Sequence, residues 1–262
     1  MRAYAGLARA AARSVLTYRL NFLFGTGALV VHLVAMLALW SALLDAGRSV
    51  AGFTLPEMKA YLLIAFGTGF LVSIFGDFRM ASRIHSGMVA LDLVKPVDYQ
   101  AARLAESTGG VVAEVGAVAV VWVGVVTFAG PVAAPGWPQG LLFAVSVAAV
   151  VPLKFLVVYL STLLCFWTQN YLGVFWARDV VVSLFSGALV PLALLPGWFQ
   201  ATAAVLPFAG ITSVPALIYL GHVRGAAALG LVGLQLAWAV VLWYAARLAW
   251  RGAVRKLTVH GG

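Results

Sequence analysis

Long uninterrupted apolar runs constrain the fold of this 262-residue chain more than any other feature. Several of them reach the roughly 20 residues that a helix needs to cross a bilayer. The runs are continuous rather than alternating, which excludes the strands of a membrane barrel. Only 10% of the residues are charged, against roughly 25% in soluble domains. The sequence therefore predicts an all-α polytopic membrane protein, with residues 1–262 forming a single transmembrane domain.

Six membrane-spanning helices fit the apolar runs. Their expected ranges are 22–44, 57–77, 104–129, 140–166, 172–195 and 225–248. Lys and Arg concentrate near both termini and in the connection 78–103, and the positive-inside rule places these regions in the cytoplasm. The formal net charge of +9 therefore reflects membrane orientation, and nucleic acid is not an expected partner.

Residues 1–20 precede the first predicted span. Arg2, Arg9 and Arg13 share one face of a helix built on this segment, a pattern typical of an interfacial helix on the inner leaflet. A cleavable signal peptide is the alternative. The apolar run at 22–44 is too long for the apolar core of such a peptide.

The segment before the last span, residues 196–222, is apolar but interrupted by Pro196, Pro207 and Pro215. Proline removes a helical hydrogen bond and clashes with the preceding turn, so one straight helix is not expected. Two short re-entrant helices that enter the outer leaflet and return fit better, shielded by the rest of the protein. A plain extracellular loop is the alternative.

The connection 78–103, FRMASRIHSGMVALDLVKPVDYQAAR, holds six of the 25 charged residues. A short amphipathic helix is expected over 79–86, ended by Gly87 in a left-handed conformation. Pro96 suits the first turn of the next helix, and Asp98 suits its positive end. That helix should continue into the third span.

This connection is longer than a helical hairpin requires, and we interpret it as a docking element for a cytosolic partner. The expected apolar anchors are Ile84, Met88 and Leu91, and the charges of Arg83 and Asp92 would set orientation. A solvated loop with routine positive-inside charges is the alternative.

Ionisable residues also fall within predicted spans. Glu114 and Lys154 each lie about halfway along a span, where an unpaired charge costs about 3 kcal/mol. We expect them to neutralise each other or to line a polar path. Arg178 and Asp179 are adjacent and lie nearer a span end, which favours a snorkelling or loop-contacting role.

These features together resemble the membrane subunit of ABC exporters of the type-2 permease class, in the bacterial branch of ABC-2 family transporter proteins. The matching segments are SRIHSGMVALDLVKPVDYQAARLAE, LPGWFQATAAVLPFAGITSVPALIYLG and the tail RGAVRKLTVHGG. The family pattern after the second span is a glycine, an apolar step, a basic residue and a proline. Here these are Gly87, Leu91, Leu93, Lys95 and Pro96.

The resemblance implies an elbow helix at residues 1–20, outer-leaflet re-entrant helices at 196–222 and a coupling helix in 78–103. It implies a second permease subunit, identical or related, and cytosolic ABC ATPase subunits as partners in the bacterial inner membrane, with both termini cytoplasmic. The ATPase-coupling residues would be Arg83, Ile84, Gly87, Met88, Leu91, Asp92, Lys95 and Pro96.

The chain itself is not expected to be an enzyme or to bind a cofactor, because none of its four lysines lies in the G-x-x-x-x-G-K-[ST] pattern of a nucleotide site. ATP would be bound by the partner subunit. His32, His85, His222 and His260 lie on different segments, so no metal site is expected. The alternative functions are a stand-alone secondary transporter or channel, and a non-transporting membrane assembly protein.

Overall fold

The computed structural model describes residues 2–17, 19–44, 49–72 and 74–255, and helices are the regular secondary structure of this part of the chain. The α-helices are α1 Arg2–Thr17, α2 Arg19–Leu43, α3 Leu55–Phe70, α4 Ile74–His85, α5 Val89–Leu93, α6 Tyr99–Phe128, α7 Trp137–Leu163, α8 Tyr171–Ser186, α9 Gly197–Val205, α10 Ser213–Tyr219 and α11 Gly225–Val254. Short 3-10 turns at Leu164–Phe166, Leu192–Leu194 and Pro207–Gly210 join some of them. The all-α class expected from the apolar runs is confirmed.

Among the described residues, four helical segments are long and apolar enough to cross a membrane: Phe22–Leu43, Tyr99–Phe128, Trp137–Phe166 and Gly225–Val254. They correspond to the first, third, fourth and sixth expected spans. The second and fifth coincide with α3 and α8, which have 16 residues each. At about 1.5 Å per residue such helices fall short of a hydrocarbon core about 30 Å thick. The expected ranges 57–77 and 172–195 therefore overran these two helices.

Helix α3 forms the centre of the molecule, because its residues are buried almost all round. Met58, Ala60 and the run from Tyr61 to Thr68 are all buried. The helix begins at a capping box. The Thr54 side chain accepts from the Glu57 backbone N–H, and the Glu57 side chain accepts from the Thr54 backbone N–H. It packs against α2, α6 and α10.

Helix α1 packs extensively against α6. Gly109 of α6 meets the backbone of Ala8 so closely that no β-carbon would fit between them. Arg2, Arg9 and Arg13 are exposed on α1, in agreement with the amphipathic face expected for this segment. Small residues at the contact allow the two helices to approach closely.

The proline-interrupted segment folds as two short helices, α9 and α10, joined by the 3-10 turn Pro207–Gly210. Pro207 lies in the first turn of that 3-10 element, where proline is tolerated. Helix α10 is buried along most of its length and packs against α3 and α7. Helix α10, which follows the 3-10 turn, therefore lies inside the protein.

Candidate functional site

The segment 78–103 folds as two short helices that lead into a long one. Helix α4 ends at His85, and Gly87 then adopts a left-handed φ of +70°, which confirms its expected role as a helix terminator. Asp98 caps α6, where its side chain accepts a hydrogen bond from the Ala101 backbone N–H at 2.8 Å. The expectation for Pro96 was wrong, because this proline lies in the turn before the cap and not in the first turn of α6.

Asp92 is the centre of an ionic network that holds this segment together. Arg83 donates from Nε and approaches with Nη2, both at 2.8 Å, and Lys95 donates from Nζ at 2.8 Å. Although burial favours the neutral acid, the hydrogen bond from Lys95 and the charges of Arg103 and Arg83 hold the pKa of Asp92 below its ordinary value. The network ties α4, α5 and the following turn into one unit.

The exposed face of this unit is apolar. Met88, Leu91 and Val94 expose 43%, 58% and 82% of their surface. They are spaced three residues apart, so they follow one side of the short helix. Sequence reasoning missed Val94, although its spacing from Leu91 was the signal that could have identified it.

Ile84, which was expected among the exposed anchors, is buried within the protein. It belongs to a core cluster with Val89 and Tyr99. The Tyr99 ring stacks on Trp250 of α11, with ring centroids 4.2 Å apart. Ile84 therefore packs on the buried side of the segment, whereas Met88 and Leu91 lie on its exposed side.

A buried ion pair links α4 to α8. Arg178 donates from Nη1 to Asp77 Oδ2 at 2.7 Å and also contacts Ser161 Oγ of α7 at 3.2 Å. The guanidinium lies over the Phe175 ring, 5.0 Å from its centroid. The role expected for Arg178 was snorkelling or loop contact, and Asp77, at the end of an expected span, was not among the expected partners.

Glu114 and Lys154 both reach the break between α3 and α4. Lys154 Nζ donates to the carbonyl oxygens of Thr68 at 3.0 Å and Gly69 at 2.5 Å. Glu114 Oε2 accepts from the Val72 backbone N–H at 2.8 Å. Val72 has a φ of +56°, which is strained for a β-branched residue. The structure thus brings the two expected partners to one backbone break.

Two further breaks are stabilised in the same way by side chains of neighbouring helices. Tyr61 of α3 donates to the Gly187 carbonyl at 2.8 Å and contacts Ser213 Oγ at 3.2 Å. Gln235 of α11 donates to the Gly210 carbonyl at 2.6 Å. Because backbone groups away from water must find partners within the protein, these contacts let the chain bend inside an apolar bundle.

Comparison with known proteins gives one informative match. No curated protein matches the chain. The family model described as ABC-2 family transporter protein matches residues 30–261, a range that includes the segment 78–103, all three breaks and the last span. The family is a membrane transport component and not itself catalytic. With several helices able to cross a membrane, the chain is a multi-pass transport subunit and belongs to the ABC-2 transporter family.

Proposed function

We propose that this chain is the transmembrane subunit of an ATP-driven exporter, in which it forms half of the translocation path. Energy would come from a separate cytosolic ABC ATPase that docks on residues 78–103. The observation that carries this proposal is the apolar face of Met88, Leu91 and Val94. A contiguous exposed apolar surface on a segment that connects two membrane helices favours contact with another protein.

The contacts of the segment supply two routes by which docking would move the membrane helices. Helix α6 follows α5 and its turn and runs unbroken from Tyr99 to Phe128. Displacement of α5 would therefore be transmitted along one continuous helix. Helix α4 is joined to α8 by the Asp77–Arg178 ion pair. ATP-driven closure of the ATPase would therefore shift α6 and α8 together.

The proposed architecture has six spans, of which α3 and α8 are the two short ones. The segment 196–222 would complete the outer half of the molecule as re-entrant helices, supported by the hydrogen bonds of Tyr61 and Gln235. Helix α1 would act as the elbow helix at the inner leaflet, with its exposed arginines toward lipid headgroups. A second permease, identical or related, would complete the path in the bacterial inner membrane, with both termini cytoplasmic.

The test is capture of the ATPase by the purified full chain. Met88→Ala combined with Leu91→Ala should abolish co-purification, because each desolvated anchor contributes about 2 kcal/mol, or roughly thirtyfold in affinity. Leu93→Ala is the matched control, since Leu93 is 41% exposed on the same helix but off the three-residue spacing of the face. ATPase capture at the wild-type level by the double variant would refute the docking assignment.

A further inference from the structure

A cavity of about 640 Å³ lies behind the segment 78–103. Helices α1, α4, α6 and α7 surround it together with Asp92 and Lys95. Part of its wall is apolar, with Leu7 of α1 and Phe155 and Val158 of α7. The remainder is strongly polar, so the cavity presents two chemically different surfaces.

Basic side chains outnumber acidic ones on the polar surface. The basic residues are Arg79, Arg83, Lys95 and Arg103, and the acidic residues are Asp77, Asp92 and Glu106. Two cations share the carboxylate of Asp92. The carboxylate of Asp77 is engaged by Arg178, which does not line the cavity. Even with Arg79 set aside, three lining cations, Arg83, Lys95 and Arg103, share the two remaining carboxylates, Asp92 and Glu106.

Two buried donors on this wall lack acceptors. The Tyr159 hydroxyl and the Arg103 Nε–H have no hydrogen-bond partner among the residues that the structure describes. Tyr159 is fully buried, with 0% of its surface exposed. Arg103 uses Nη1 to contact Glu106 at 2.8 Å, which leaves its Nε edge unused. Buried donors without acceptors are costly, so their presence beside a cavity points to a ligand that supplies the acceptor.

We infer that this cavity binds a phosphate-type anion carried by an amphiphile. A guanidinium presents donors in a fork that matches phosphate oxygens, and the Tyr159 hydroxyl adds a further donor. The wall of Leu7, Phe155 and Val158 suits the apolar part of the same molecule. The cavity shares Arg83, Asp92 and Lys95 with the docking segment, whereas Tyr159 belongs to α7. Ligand binding by the transmembrane subunit is therefore tested without the ATPase.

The experiment titrates the full chain, purified in a neutral detergent, with short-chain phosphatidylglycerol, phosphatidylcholine and inorganic phosphate. Bound adducts are counted by native mass spectrometry. Wild-type protein should bind phosphatidylglycerol at least about tenfold more tightly than phosphatidylcholine, as expected for hydrogen bonds to a charged group. Competition by inorganic phosphate would show that the anion alone is recognised. Absence of competition, with the lipid preference retained, would assign the site to the whole amphiphile.

Paired variants separate this site from general effects on folding. Tyr159→Phe should weaken phosphatidylglycerol binding about tenfold. Tyr171→Phe is its control, because Tyr171 also carries a buried hydroxyl without a partner in the described chain but does not line the cavity. Arg103→Gln should weaken phosphatidylglycerol binding as Tyr159→Phe does. The control for Arg103→Gln is Arg247→Gln.

Arg247 pairs with Asp98 outside the cavity. Equal binding of the two lipids by wild-type protein would overturn the inference. Unchanged phosphatidylglycerol binding by folded Tyr159→Phe protein would do the same. ATPase capture by Tyr159→Phe should match wild type, so a failure of this inference is distinguishable from a failure of the docking proposal.

Discussion

Arg178 of α8 and Asp77 of α4 form an ion pair of 2.7 Å whose side chains are only 10% and 4% exposed. The two residues are 101 positions apart in the sequence. Because the pair is buried, removing either partner leaves an uncompensated charge inside the bundle. The pair therefore constrains how α4 and α8 pack against each other.

Asp77→Asn and Arg178→Gln should each lower the free energy of unfolding by about 3–5 kcal/mol. The combined variant should lose less than the sum of the two, because it leaves no unpaired charge. Thermal unfolding in detergent measures both. The exposed Arg247–Asp98 pair is the control, and Arg247→Gln should cost at most about 1 kcal/mol. Strictly additive losses at positions 77 and 178 would contradict the pairing.

Lys154→Met and Glu114→Gln should both destabilise the break between α3 and α4. Lys154→Met leaves two carbonyl groups there without their donor, and each group left without a partner costs about 1–3 kcal/mol. Glu114→Gln keeps an acceptor for the Val72 N–H but removes the negative charge that favours Lys154. Because both charges act on one break, the double variant should lose less stability than the sum of the losses in the two single variants. Yield of folded protein after membrane extraction is the measurement, and losses that simply add would argue against coupling.

Asp92→Asn should loosen the docking segment at neutral pH by about 1–3 kcal/mol, because the carboxylate accepts two charge-assisted hydrogen bonds. The pKa of Asp92 is lower in the folded protein than its ordinary value, so the stabilisation is complete above that ordinary value and is lost as pH falls through the lowered one. The difference between wild type and variant in thermal unfolding should therefore narrow below about pH 4. If the difference in thermal unfolding between wild type and Asp92→Asn does not change with pH, the ionised Asp92 carboxylate is not the source of the stabilisation.

Gly87→Ala should weaken ATPase capture through the backbone alone. A β-carbon at this position would meet nothing within 4 Å, but the φ of +70° is unfavourable for alanine by about 1 kcal/mol. Gly87→Asn should restore most of the capture, since asparagine tolerates the left-handed region better. If the asparagine variant is as impaired as the alanine variant, the conformation of Gly87 is not the cause.

Cysteine labelling tests the proposed orientation. The natural Cys165 is buried, so it should not react in intact cells. A cysteine at the exposed position Ala134 should react with an impermeant thiol reagent from outside, and one at the exposed position Ser86 should not. The reverse pattern would overturn the orientation inferred from the placement of Lys and Arg.

The sequence alone determined the features that depend on local chemistry. Long apolar runs require helices in a membrane because every backbone group must be paired, and the helical class followed from them. Gly87 and Asp98 were assigned correctly because a left-handed turn favours a residue without a β-carbon and a helix cap favours a short polar side chain. Pro96 was misplaced by a few residues because proline is compatible with both a turn and a first helical turn.

Only the tertiary structure decided which side chains meet. Ile84 and Met88 are similar in hydrophobicity, but packing buries the first and leaves the second exposed. Asp77 lies 101 residues from Arg178, and Thr68 lies 86 residues from Lys154 along the chain. No local pattern encodes such separations. Charges inside a bundle bind whichever acceptor the packing of helices brings near, so their partners become known only when the helices are placed in space.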